Sequence, residues 1–130
     1  ARAAELFKIL LSETERVLGM DHSDALEARY NLAVTMMEAD DSAGAAEQFD
    51  ALLAVQERVL SADHPDVLAT RCNLAVAVMR SGDPARAVTL LRALAADSAR
   101  VLGSEHPTTL ATRYNFVLAI CEASDIWCGR

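Results

Sequence analysis

This chain has 130 residues, of which 52% are hydrophobic, and it carries a formal net charge of −7. The acidic balance argues against binding of nucleic acid, which requires clustered Lys and Arg side chains. Charged residues interrupt every apolar run before it is long enough to cross a bilayer, so no membrane partner is expected.

The first predicted helix covers residues 1–18 and ends at Gly19. Its apolar residues recur at helical spacing and form one stripe. They are Phe7, Leu10, Leu11, Val17 and Leu18. The start of the chain, ARAAELFKIL, lacks the order of basic, apolar and small-residue regions that a signal peptide has. The absence of an initiator Met leads us to expect that the sequence is a piece of a longer protein.

From residue 16 onward the sequence contains three similar copies of one segment. RVLGMDHSDALEARYNLA begins at Arg16, RVLSADHPDVLATRCNLA at Arg58 and RVLGSEHPTTLATRYNFV at Arg100, so successive copies lie 42 residues apart. A fixed period of this length is typical of stacked helical repeats, because one repeat is too small to bury its own apolar face. We therefore expect an all-α fold, since neither hairpin turns nor alternating β-branched runs occur.

Two kinds of helix alternate in this repeat, and we name them A and B. The B helices are predicted over residues 1–18, 43–60 and 84–102. The A helices are predicted over residues 23–39, 65–80 and 107–123. Pro65 and Pro107 stand at the start of the later A helices, where a missing N–H and a preset φ suit the first turn. All six helices are assigned to a single domain.

The pattern resembles the tetratricopeptide repeat (TPR) family, specifically the 42-residue variety of kinesin light chains and their bacterial relatives. The residues that carry the resemblance are the repeated Asn-Leu-Ala, Gly82 at the turn from A to B, and small and large residues four apart early in helix B. The linkers LGMDHS, LSADHP and LGSEHP are similar to the LGxDHP of that family. The chain departs from the family pattern in two respects. Asp40 and Ser124 replace the turn glycine in the first and third repeats, and Phe116-Val117 replaces Leu-Ala in the third. HEAT repeats share the period and are the alternative.

The resemblance implies a right-handed α-α superhelix, a TPR solenoid of six antiparallel helices, in which the A helices line a concave groove. Such a groove takes an extended peptide or a partner helix, so the expected partner is a protein or peptide ligand. On a helical wheel Ala69, Asn73, Val76 and Arg80 share one face. The predicted groove residues are Tyr30, Asn31, Val34, Glu38, Asn73, Val76, Arg80, Tyr114, Asn115 and Leu118.

An asparagine recurs in this face once per repeat, and we call Asn31, Asn73 and Asn115 the asparagine ladder. An amide offers a donor and an acceptor, so it can hold a peptide backbone without reading the side chains. The alternative is that each asparagine ties adjacent A helices together. We favour the groove role. Burial of a polar residue costs free energy unless it is hydrogen-bonded, so an asparagine that recurs on a mostly apolar helix indicates a specific role.

Arginines recur as well, at Arg29, Arg71 and Arg113. Such a series suggests an acidic ligand, but each arginine lies two residues before an asparagine and therefore points about 200° away from the groove. Salt bridges to neighbouring helices, or stems that lie over apolar surface, are the preferred interpretation.

His22, His64 and His106 recur at the start of each A helix. A shared metal ion is rejected, because zinc ligands stand about 2.0–2.1 Å from the ion while equivalent positions lie about 8–10 Å apart. Capping of the A helices is the better interpretation, and no metal or cofactor is implied.

Cys72 lies toward the groove and is interpreted as a small residue at the edge of the core rather than a reactive thiol. Together with Cys121 and Cys128 it makes an odd number of cysteines without a disulfide framework, which favours reduced thiols in a cytoplasmic protein.

The sequence contains no phosphate-binding loop, nucleophile elbow or paired catalytic carboxylates, so we do not expect an enzyme. Two functions remain. The first is a scaffold that binds a protein or peptide. The resemblance implies that, in bacteria, such a scaffold is often the sensing part of a larger regulator such as a STAND-type NTPase. The second is self-association, for example as a homodimer, because the array begins with an unpaired B helix and ends with an unpaired A helix. Trp127 is the residue expected to cap the end in a monomer.

Overall fold

The computed structural model describes residues 2–124, so the expected cap at Trp127 lies outside the described residues. Within them the chain forms six α-helices and no β-strand. The helices are α1 (Arg2–Leu18), α2 (Ser23–Glu38), α3 (Ser42–Val59), α4 (Pro65–Arg80), α5 (Pro84–Leu102) and α6 (Pro107–Ala123). The prediction of an all-α repeat fold with six helices is confirmed. Helices α2, α4 and α6 are the A helices, and α1, α3 and α5 are the B helices.

Each helix packs against the next one along the chain, and small residues lie at the crossings. Ala33 in α2 and Ala45 in α3 are both completely buried, as are their counterparts Ala75 and Ala87 in the second repeat. Larger side chains fill the space beside them, and Phe49 has an exposed fraction of only 1%. Alanine permits this close approach because it carries a single methyl group, and burial of the larger neighbours removes apolar surface from water.

The three histidines cap the A helices. His22, His64 and His106 each have extended backbone immediately before the helix. The Nδ1 atom of each ring accepts a hydrogen bond from the backbone N–H two residues later, at 3.0 to 3.1 Å. Each ring thus satisfies one donor that the first turn of a helix leaves free. The capping role expected from the sequence is confirmed.

The turns from A to B keep one geometry despite different residues. Gly82 has a φ of 100°, which glycine adopts without a steric penalty. Asp40 takes the same place in the first repeat and has a φ of 63°, which is in the left-handed region that Asp tolerates better than most residues. The substitution at Asp40 therefore leaves the turn intact. Asp41 and Asp83 then cap α3 and α5 by accepting from the N–H groups of Gly44 and Arg86.

The recurring arginines tie helices together, with one exception. Arg29 of α2 reaches Glu15 of α1 at 2.8 Å and also donates to the Gln48 side chain of α3. Arg71 of α4 pairs with Asp97 of α5 at 2.8 Å. The expectation of salt bridges between helices is thus confirmed for two of the three. Arg113 is exposed and donates to the Ser104 carbonyl at 3.3 Å, so the ion pair does not recur at this position within residues 2–124.

A second set of ion pairs repeats with the period of the sequence. Asp21, in the linker before α2, accepts a hydrogen bond from Arg58 near the end of α3. Asp63 and Arg100, each 42 residues later, make the same pair at 3.0 Å. These contacts join the linker of one repeat to the B helix of the next, and they hold successive linkers in register. The Arg100 guanidinium holds the pKa of Asp63 below its usual value.

Candidate functional site

The candidate site is the surface on which α2 and α4 lie side by side, and we call it the A-helix face. It contains two pockets. The N-terminal pocket has a volume of about 480 Å³ and is lined by Ser23, Leu26, Glu27, Tyr30, Gln56, Leu60, Asp66, Ala69 and Thr70. The C-terminal pocket has a volume of about 260 Å³ and is lined by Val34, Met37, Glu38, Phe49, Asn73, Val76 and Arg80.

A side-chain bridge separates the two pockets. The Asn73 amide donates to the Tyr30 hydroxyl at 3.4 Å, and Tyr30 borders the N-terminal pocket while Asn73 borders the other. The Tyr30 ring is held by an edge-on contact with Phe49, whose ring centre lies 6.1 Å away. Phe49 is buried in the core, so the core of the fold positions this bridge.

The C-terminal pocket brings together half of the predicted groove residues. Val34 and Glu38 come from α2, and Asn73, Val76 and Arg80 come from α4. They meet because residues three and four apart share a helix face, and α2 and α4 turn equivalent faces toward the same pocket. The result is an apolar floor with Glu38 and Arg80 exposed beside it. Such a pocket suits an apolar side chain flanked by polar or charged groups.

The other predicted groove residues lie elsewhere. Asn31, Asn115 and Leu118 are half-buried and line neither pocket. Tyr114 on α6 is 67% exposed. The asparagine ladder is therefore not uniform: Asn73 contacts Tyr30 one repeat earlier, and Asn115 hydrogen-bonds the thiol of Cys72, also one repeat earlier. Both contacts are of the kind that the alternative interpretation expected, with an asparagine joining adjacent A helices.

Cys72 is a half-buried residue of α4. Burial raises the pKa of its thiol, and hydrogen bonds from Thr112 and Asn115 oppose that shift without cancelling it. A raised pKa keeps the sulfur protonated at neutral pH, and the thiol is a poor nucleophile. This environment agrees with a residue at the edge of the core.

Gln56 is a lining residue that the sequence reasoning did not consider, and it comes from a B helix. It lies on α3 with only 7% of its surface exposed, and its Oε1 has no hydrogen-bond partner among the described residues. A signal for it exists in the repeat, because Thr14 and Ser98 occupy the equivalent positions of α1 and α5. A polar residue recurs there on the buried side of each B helix.

Two further properties of the described residues bear on the kind of site. Residues 2–124 contain no group of three His, Cys, Asp or Glu side chains placed to hold a metal ion. Over the same residues, no helix combines the length and the apolar character that a membrane crossing requires.

Comparison with known proteins agrees with the repeat pattern. A family model described as tetratricopeptide repeat matches residues 24–97. Among curated proteins, none matches this sequence.

Two solved structures are similar to almost the whole chain. One is a point variant of a kinesin light chain-like protein of Podosopora anserina with nearly identical TPR-like repeats. It shares 30% identity with a TM-score of 0.82, over 95% of this chain and 58% of that one. The other is a further structure of such a protein from the same organism, with 28% identity and a TM-score of 0.81, over 95% of this chain and 59% of that one. The chain thus spans about three fifths of the length of the solved structures it matches.

Proposed function

This chain belongs to the tetratricopeptide repeat family, and we propose that it is a non-enzymatic scaffold that binds a protein or peptide segment on its A-helix face. Tetratricopeptide repeats are generally scaffolds for protein–protein interaction. The observation that carries the proposal is the pair of pockets between α2 and α4. Both are open, mostly apolar in lining and bordered by a few polar groups, which is the composition of a recognition surface.

The spacing of the pockets favours an elongated occupant. Each pocket is of a size that accommodates one or two side chains, and the Tyr30–Asn73 bridge lies between them. A segment that runs across α2 and α4 places one side chain in each pocket, while the Asn73 amide lies beside its backbone. An amide in this position offers both a donor and an acceptor.

The experiment compares two charge reversals of equal size. A partner is captured from extract of the source organism, purified and titrated against Glu38→Arg and Glu47→Arg. Glu38 is exposed at the C-terminal pocket, and an arginine at the end of α2 is favourable for the helix. Glu47 is exposed on α3 and lines neither pocket. We expect only Glu38→Arg to weaken binding. Equal affinities for the two variants would place the partner elsewhere.

A second candidate function, self-association, is favoured by apolar residues at the two ends of the stack. On α6, Leu110, Tyr114 and Val117 are 51%, 67% and 58% exposed. On α1, Leu6, Ile9 and Leu10 are 56%, 63% and 51% exposed. Exposed apolar surface concentrated in this way is typical of contact sites. A second copy that places its α1 against α6 covers one exposed end of each copy in one contact.

A further inference from the structure

We propose that the N-terminal pocket binds a basic side chain, Lys or Arg, of the partner segment. This inference rests on the proposed function and names the chemistry that one of its two pockets selects. It is carried by the charges that border the pocket, by an unpaired buried amide in its wall, and by the difference between this pocket and the equivalent place in the next repeat.

The charges that border the pocket are of one sign. Glu27 of α2 and Asp66 of α4 contribute carboxylates, and no Lys or Arg lines the pocket. Glu27 makes no ion pair with any residue in the part of the chain that the structure describes. Asp66 stands in the first turn of α4, where a negative charge is also favoured by the helix dipole. Glu27 has no such structural reason, so its charge is available to a cation.

Gln56 requires a hydrogen-bond donor from outside the described fold. Its side chain lines the pocket, is more than nine-tenths buried, and has an Oε1 without a partner. A buried acceptor that stays unpaired costs free energy, typically about 1–3 kcal/mol. A ligand group that brings a donor within reach of this acceptor would remove that cost. Ammonium and guanidinium groups consist of donors, whereas a carboxylate in the same place would add another acceptor.

The remaining lining suits the stem of a long basic side chain. Leu26, Leu60 and Ala69 provide apolar surface beside the polar groups. Lys and Arg bury their methylene stems along such surface and keep the charged end beside polar partners. The Tyr30 ring, at the boundary of the pocket, adds an aromatic face, which attracts cations.

The equivalent place in the next repeat lacks both carboxylates and the buried amide of this pocket. Forty-two residues after Glu27, Gln56 and Asp66 stand Ala69, Ser98 and Thr108. The acidic pocket is thus a property of this one repeat junction and not of the repeat in general. The same comparison supplies substitutions that a folded repeat of this chain already accommodates.

The test uses two small probes of nearly the same shape, N-acetyl-arginine amide and N-acetyl-citrulline amide, in which the guanidinium group of the first is replaced by a neutral ureido group in the second. Each is titrated into ¹⁵N-labelled protein, and the side-chain amide of Gln56 and the backbone amides of Glu27 and Ala69 are followed by NMR. We expect the arginine probe to shift these signals and the citrulline probe to bind at least about three- to fivefold more weakly, the range for the loss of one exposed ion pair.

Substitutions then test whether the negative charge that attracts the arginine probe belongs to the pocket. Glu27→Gln removes one exposed carboxylate without changing shape, and it should weaken the arginine probe about three- to fivefold. Glu47→Gln, with the same change in net charge on an exposed position of α3, should leave the affinity unchanged. Gln56→Ser introduces the residue of the next repeat and should weaken the probe as well. Equal affinity for arginine and citrulline, or equal loss in Glu27→Gln and Glu47→Gln, would overturn the proposal.

The outcome is separable from that of the proposed function. A captured partner that binds Glu27→Gln as tightly as the original chain, but loses affinity for Glu38→Arg, would reject the basic side chain and keep the scaffold. Arginine binding at the pocket without any partner that depends on the A-helix face would do the reverse.

Discussion

Both interpretations of the asparagine ladder, binding in the groove and contact between adjacent A helices, apply to Asn73. It lines the C-terminal pocket, and it also donates to Tyr30. At 3.4 Å the bond is long, and it lies on an exposed part of the surface, so water replaces it at little cost. The contact therefore positions the amide without stabilising the fold much, and the two roles are compatible.

At this scale we predict that Asn73→Ala lowers the free energy of unfolding by less than about 1 kcal/mol. Affinity for the captured partner should fall by about 1–2 kcal/mol, because the amide no longer pairs with the ligand backbone. Chemical denaturation and titration measure the two quantities. Tyr30→Phe is the control, since it removes the bridge and keeps the amide. If Asn73→Ala unfolds the protein while the folded fraction still binds, the ladder is structural.

At the scale of the elements, equivalent arginines have unequal partners. Arg71 and Asp97 join α4 to α5, and 21% and 35% of their side-chain surfaces are exposed. The hydrogen bond from Arg71 is the main cause that holds the pKa of Asp97 below its usual value of 3.8. Because the pKa is lower in the folded state, the pair contributes stability above about pH 3.8 and loses it as the pH falls through the folded-state pKa.

We therefore predict that Arg71→Ala lowers the free energy of unfolding by about 1 kcal/mol at neutral pH. The difference from the original chain should shrink as the pH falls from about 3.8, the usual value, through the lowered pKa of Asp97 in the folded protein. Denaturation curves at pH 7 and at pH 3 test this. Arg113→Ala is the matched control, because the hydrogen bond that Arg113 makes within residues 2–124 goes to the Ser104 carbonyl and not to a carboxylate. A loss in Arg71→Ala that is as large at acidic as at neutral pH would contradict the ion-pair account.

The crossing of α4 and α5 depends on the size of one residue. Ala87 is completely buried at the start of α5. We predict that Ala87→Leu destabilises the protein by about 1–3 kcal/mol, because added methylene groups in a close-packed site force neighbours apart. Thermal melting measures the loss. Ala93→Leu, on an exposed position of the same helix, should change stability by no more than about 0.5 kcal/mol. Similar melting of the two variants would show that the crossing is misassigned.

For the whole molecule, the ends of the stack differ from its middle. Leu52 and Leu94 are completely buried, whereas Leu10 at the equivalent position of α1 is 51% exposed. Ala75 is completely buried, whereas Val117 at the equivalent position of α6 is 58% exposed. The repeat thus presents at each end a surface that a neighbouring helix covers in the middle.

We predict that these ends associate in solution. Light scattering across a dilution series should show a mass that rises with concentration. Val117→Glu should shift the rise to higher concentration, because a charge at the contact must be desolvated. Glu105→Gln, in the exposed linker before α6, is the control and should behave like the original chain. A monomer mass at all concentrations would exclude association through the ends.

The sequence by itself determined the period, the helices and their caps. These features are local, because a histidine followed by proline, a turn glycine or an apolar stripe acts within a few residues of its own position. The 42-residue repeat then extended the local pattern to a stack, since equivalent helices must bury equivalent faces. Five of the predicted groove residues line one pocket for the same reason, because the residues that share a face on the helical wheel of α4 have counterparts that share a face on α2.

Only the tertiary structure decided which residues at the same position of the repeat also have the same neighbours. Arg29 and Arg71 occupy the same position of the repeat, yet the ion pair of Arg29 is with the preceding B helix and that of Arg71 is with the following one. Gln56 borders a pocket built from α2, α3 and α4, while its counterpart Ser98 is completely buried. The period specifies where each backbone runs. The partners of a long side chain depend on residues of neighbouring repeats, and those residues differ from copy to copy.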